Sequence, residues 1–155
     1  MPSLFVDRTI EIHVPAKIVW KVLTERPLSD QWVANFSNAV SPFHLESDWN
    51  LGSPVQWKTT DGILRVEGEV TMVEPERFLR FTVFDVTDKT SRGLFGEEDG
   101  ISYELNEHEG NTTLRVRQGD FGVLEEGAKY RDWTEQTWDR CLPIIKDLAE
   151  KEALQ

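Results

Sequence analysis

Near Glu125 the hydrophobic period of the chain switches to that of a helix. Upstream, apolar residues mostly alternate with polar ones. Downstream, Trp133, Thr137, Trp138, Cys141, Leu142, Ile145 and Leu148 form one broad stripe, opposed by Asp132, Glu135, Asp139, Arg140 and Lys146. That spacing predicts a helix with one buried face. A curved sheet built from the upstream strands has one apolar face, and this terminal helix is the only long element available to cover it. Pro143 falls inside the helix and should bend it, because proline removes one backbone hydrogen bond.

The upstream pattern predicts the strands. In "LFVDRTIEIHV", Leu4, Val6, Ile10, Ile12 and Val14 share a phase, with Asp7, Thr9, Glu11 and His13 on the other. Arg8 lies in the apolar phase, so it either turns outward at a strand end or aims a charge inward. Pro15 suits a first helical turn, and Ala16, Val19, Trp20 and Leu23 then share a helical face. Pro27 ends that segment, and "LSDQWV" reads as a second short helix. Trp20 and Trp32 are expected to seal one end of the space between sheet and long helix.

An irregular strand is expected near residues 39–46 and a firmer one over 53–60. "DG" at 61–62 is a hairpin signal. Leu64, Val66, Val70 and Met72 then share one phase, "EPER" turns the chain, and Leu79, Phe81 and Val83 continue inward. Gly68 in mid-strand suggests a bulge or sharp bend. "DVTDKTSRGLFGEEDG" is the longest connection between strands. "ISYELNE" and "TTLRVRQ", joined by "HEGN", form a last hairpin, with Ile101, Tyr103, Leu105, Leu114 and Val116 inward. The expected fold class is α+β: a curved antiparallel sheet of about seven strands around a C-terminal helix, with two short helices after the first strand. No repeat or linker interrupts it, so residues 1–155 read as one domain.

Composition narrows the function. A formal charge of −11 over 155 residues, without a basic tract, argues against nucleic-acid and anionic-membrane surfaces. No apolar run approaches the length of a membrane span. The start shows no signal-peptide pattern, so a cytoplasmic location is expected. The single cysteine, Cys141, excludes an internal disulfide and a multi-cysteine metal site. On the apolar stripe it reads as a buried, inert thiol.

The stretch "VPAKIVWKVLTERPLSDQW" resembles the N-terminal signature of the START-like (SRPBCC) helix-grip superfamily. It is most similar to the branch named after the activator of the heat-shock protein 90 ATPase, through Ala16, Val19, Trp20, Leu23, Thr24, Pro27 and Trp32. Gly68, Val70, Pro75 and Leu79 match a second family segment; "TTLRVRQGDFG" and "WTEQTWDRCLPIIKDL" match its last strand and helix. Thr137 stands where relatives often have glycine, and Pro143 departs from the family's helix. The resemblance covers nearly the whole chain and implies the helix-grip fold. Family roles range over lipid binding, cyclisation and co-chaperone action.

No catalytic constellation stands out. Nucleophilic triads need a Ser or Cys beside an oriented His. His13 sits at a strand end, His108 in a hairpin turn and His44 on the irregular strand, none in such a motif. Metal-ligand spacings and phosphate loops are absent, so no metal or cofactor is expected. "GLFGEEDG" reads as a lid over a cavity or as a plain surface loop. What remains is aromatic. Trp57, Phe81, Tyr103, Trp133 and Trp138 are expected between sheet and helix, with Trp32 and Phe36 near the mouth, and Arg8, His44 and Tyr103 as polar anchors. A filled core explains the same rings. Ligand pockets, however, are largely apolar with few polar groups, so the leading expectation is a hydrophobic small molecule, a lipid or an aromatic metabolite. The branch name implies a chaperone partner as the alternative, and a cyclase- or hydrolase-type enzyme using the same cavity is the third.

Overall fold

The computed structural model describes residues 3–36, 42–87 and 99–155. Its strands are β1 (Val6–Ile12), β2 (Phe43–Glu46), β3 (Pro54–Thr59), β4 (Leu64–Glu74), β5 (Phe78–Phe81), β6 (Phe84–Asp85), β7 (Gly100–His108) and β8 (Asn111–Gly119). The helices are α1 (Ala16–Thr24), α2 (Leu28–Val33) and α3 (Gly127–Glu152). The sheet is antiparallel in the spatial order β1-β8-β7-β5-β4-β3-β2, and the two-residue β6 pairs with β4 beyond the end of β5. This is the expected curled sheet gripped around a long terminal helix. Most of the loop expected as a lid, and the start of the strand expected over 39–46, lie outside the described residues.

The register shifts of the sheet fall on the pairings of β4. Its first half pairs with β3 and its second half with β5, with a register shift between Val70 and Met72. Gly68 is where the neighbouring chain crosses most closely: a Cβ there would overlap the Thr82 carbonyl. Thr82 fastens the crossing, its N–H donating to the Glu69 carbonyl at 3.0 Å and its Oγ1 accepting from the Glu69 N–H at 2.9 Å. The register shift also inverts the side-chain phase. Val70 is buried as expected, but Met72, expected inward, is 43% exposed.

Helix α1 is pinned at both ends. The Ala16 N–H donates to Glu107 Oε1 at 2.7 Å, and the Trp49 indole donates to the Thr24 carbonyl at 2.9 Å. Pro15 occupies the N-cap rather than the first turn. Val22 is buried where Trp20 was expected, and Trp20 is only half-buried. So Trp32 alone of the expected pair is sealed inside.

Helix α3 runs continuously through Pro143. Its buried face is Thr134, Thr137, Trp138, Cys141, Leu142, Ile145 and Ala149. The same helix covers the free edge of β1: Lys146 Nζ donates to the Glu11 carbonyl at 3.0 Å, and the His13 N–H donates to Glu150 Oε2 at 3.1 Å. These two bonds occupy backbone groups at the C-terminal end of that edge, where an unpaired strand is open to pairing with another chain. No helix among the described residues is long and apolar enough to cross a membrane.

Gly68→Ala should lower the unfolding free energy by about 1–3 kcal/mol, the usual cost of overpacking a tight site. Urea denaturation measures it, and an unchanged midpoint would contradict the close crossing at Thr82.

Candidate functional site

The concave face of the sheet presents a connected row of rings. Trp138 from α3 lies 4.9 Å from Phe36, 5.9 Å from Trp32 and 6.1 Å from Tyr103, centroid to centroid. Phe36 continues to Trp57 at 5.3 Å, and Tyr103 continues to Phe81 at 5.8 Å. Most of these pairs meet edge to face, the arrangement that the ring quadrupoles favour. Alternation along β3, β5 and β7 points Trp57, Phe81 and Tyr103 to one face, and the α3 stripe brings Trp138 down onto them.

Polar atoms within this row are treated unequally. The Trp138 indole N–H donates to Gln118 Oε1 at 2.9 Å, and the Trp32 indole donates to the Val22 carbonyl at 3.0 Å. Trp57 Nε1 and the Tyr103 hydroxyl, both buried, have no partner. A buried polar group without a hydrogen bond costs about 1–3 kcal/mol. Burial, with a smaller contribution from Cys141, pushes the Tyr103 phenol well above its ordinary pKa, so it remains a neutral O–H. Among the described residues no charged side chain is buried; the buried polar ones are Ser29 and five threonines.

Six of the nine residues singled out from sequence are thus brought together: Trp32, Phe36, Trp57, Phe81, Tyr103 and Trp138. Three are not. Arg8 turns outward to Asp139 at 2.8 Å and Glu135 at 3.2 Å on the flank of α3, which satisfies its charge without burying it. His44 alternates with the inward Leu45, so it faces away from the rings and meets Glu46 at 2.8 Å. That hydrogen bond, assisted by Lys58, holds the Glu46 carboxyl below its ordinary pKa. Trp133, on the edge of the α3 stripe near the start of the helix, is 37% exposed.

The alternation missed Trp49. Its ring packs 5.3 Å from Phe81, extending the row, while its indole holds the end of α1. It lies in an irregular, turn-rich stretch with a positive φ of 58°, where no period exists to assign a face. Phe43, which precedes His44 on β2, also joins the row through Trp57 at 6.3 Å.

The family model described as "Activator of Hsp90 ATPase homolog 1-like protein" matches residues 13–150. The chain belongs to this family. Its fold is shared by the solution structure of the Aha1 dimer from Colwellia psychrerythraea, at 16% identity and a TM-score of 0.69, over 95% of this chain and 96% of that one. Protein MLL2253 from Mesorhizobium loti is similar at 17% identity and a TM-score of 0.70, over 94% and 97% of the two chains. ChR145 from Cytophaga hutchinsonii is similar at 18% identity and a TM-score of 0.69, with each chain covered in full. At these identities the likeness carries the fold alone. No curated protein matches the chain.

Cys141 lies beneath the row, fully buried, its thiol donating to the Trp32 carbonyl at 3.4 Å. Burial pushes its pKa up to about 12. A thiol reagent at pH 8 should therefore leave the native protein unlabelled and label it fully in urea. Because the folded pKa is raised, the associated stability is complete below the unfolded value near 9 and is lost as the pH climbs towards about 12. Urea midpoints across that window should fall, and rapid native labelling at pH 8 would contradict the burial.

Proposed function

We propose that this family member binds an apolar small molecule in its interior, between the curled sheet and α3. The lining would come from Trp32, Phe36, Trp57, Phe81, Tyr103 and Trp138, with no covalent chemistry of the protein's own. The observation that carries this reading is the pair of buried polar atoms without partners, set in a row of aromatic rings. A core that served packing alone gains nothing from a hydroxyl and an indole N–H left unpaired, whereas binding sites combine apolar walls with a few convergent polar groups. Ring contacts that link α2, α3, β3, β5 and β7 support it further, because a molecule held there touches every layer of the fold.

A second reading, a docking surface for a chaperone partner, is supported by the family description and by an open groove of about 930 Å³. Glu74, Glu76, Glu104 and Glu107 line it, against Arg77, over Phe78 and the exposed Met72. Such a rim suits a basic partner segment.

Native mass spectrometry of freshly purified protein separates the two. The binding reading expects a co-purifying small molecule, released on denaturation and extractable into organic solvent. An apo mass, together with stimulation of a purified chaperone ATPase, would overturn it in favour of the groove.

A further inference from the structure

The open groove beside β5 is built by three strands in register. Glu74 of β4 stands opposite Phe78 of β5, and Phe78 stands opposite Glu104 of β7. Phe78 alternates with the buried Leu79, and Glu104 with the buried Tyr103 and Leu105, so these side chains lie on the outer face of the sheet. Neighbouring strands are about 4.8 Å apart, which puts one half-buried ring between two carboxylates, each a single strand away. Met72, two residues before Glu74 on β4, extends the apolar floor and is 43% exposed.

Charge around this floor is one-sided. Glu76 and Glu107 join Glu74 and Glu104 on the rim, against Arg77. Glu107 is already engaged by the Ala16 N–H at 2.7 Å, and Glu104 meets Arg115 only at 3.9 Å. Glu74 and Glu76 pair with no cation among the described residues. Like charges this close lie within the Debye length of about 8 Å at physiological salt, and an added cation relieves their repulsion.

Apolar surface beside the acids selects among cations. A small polyamine answers the carboxylates alone. A lysine or arginine side chain also lays its stem on apolar surface and its charge against the face of a ring. Met72 leaves further apolar area that only a hydrophobic side chain would cover. Met72 and Glu74 are separated by two strand residues, about 7 Å, which is also the spacing of alternate side chains in an extended peptide.

We infer that the groove docks an extended basic segment of a partner protein. One lysine or arginine sits over Phe78 between Glu74 and Glu104, and an apolar side chain two residues along covers Met72. This rests on the docking reading above and adds the side chains that the partner must bring.

Fluorescence anisotropy titration of the full chain tests it with three dye-labelled heptapeptides: Lys-Ser-Leu-Ser-Lys-Ser-Leu, the same peptide with Ser for Leu, and the same peptide with Glu for Lys. The first should bind about fivefold more tightly than the Leu-free form, as partial burial of a leucine implies, and the acidic form most weakly. Added salt should weaken the first peptide. Glu74→Gln/Glu104→Gln should lower its affinity about fivefold, the size of two exposed charge pairs. Met72→Ser should erase its margin over the Leu-free form. The charge-matched Asp132→Asn/Asp147→Asn on α3 should change the affinity by less than about twofold. Equal affinities for the basic and acidic peptides, no binding of any of the three, or the same loss in the α3 variant as in the groove variant would overturn the inference. Spermine binding as tightly as the first peptide would overturn it in favour of a small polycation. Should a variant fail to fold, the wild-type ranking of the three peptides decides alone. A chaperone ATPase left unstimulated by the protein would fail the chaperone reading, while the peptide ranking would still decide this inference.

Discussion

The Trp138 indole is the point on which the layers of this protein converge. It touches Trp32 of α2, Phe36 of the turn that follows and Tyr103 of β7, and its N–H is held by Gln118 of β8. A helix lying in a curled sheet is free to slide and rotate unless a large side chain fixes its register, and here one ring does so for four elements. Truncating such a buried tryptophan removes about 3–5 kcal/mol in other proteins, a large share of the stability of a domain this size. The row of rings that defines the candidate site is therefore also what holds α3 to the sheet. Binding and stability draw on the same side chains.

Holding the rings in a row depends on the curl of the sheet. That curl depends on a few backbone contacts: the crossing of Gly68 and Thr82, the register shift after Val70 and the pinning of α1 between Glu107 and Trp49. Along the opposite margin, Arg8, Lys146 and Glu150 tie β1 and its end to α3. These charged contacts lie partly in solvent and contribute modestly. Their effect is positional, keeping the helix close to an edge strand whose open hydrogen bonds would otherwise face water.

Much of this was legible in the sequence because it is periodic. The switch of period near Glu125, the alternation through β3, β5, β7 and β8, and the proline-bounded helices gave the architecture, and the family resemblance pointed to the same fold. Four ring positions, Trp57, Phe81, Tyr103 and Trp138, followed from the same periods, whereas Trp32 and Phe36, expected near the mouth, are buried among them. Two of the misses occur where the period breaks. The register shift after Val70 turned Met72 outward, and Trp49 was missed in an irregular turn. Arg8 was read as either outward or an anchor, and the acidic flank of α3, which the alternation of one strand does not reveal, settled it. Unpartnered atoms such as Trp57 Nε1 are invisible in sequence altogether, since they are defined by what three-dimensional packing fails to supply.

The most direct measurement is an NMR titration of the six tryptophan indole N–H groups in 15N-labelled protein with 2-acetylnaphthalene. Three of them, on Trp32, Trp49 and Trp138, already donate to protein acceptors. The account predicts that the Trp57 resonance, unbonded at the start, moves downfield and becomes protected from solvent exchange, while those three keep their hydrogen-bonded shifts to within ring-current changes. A Trp57 resonance that never moves at saturating ligand, or one already hydrogen-bonded in the free protein, would contradict an interior site built around its N–H.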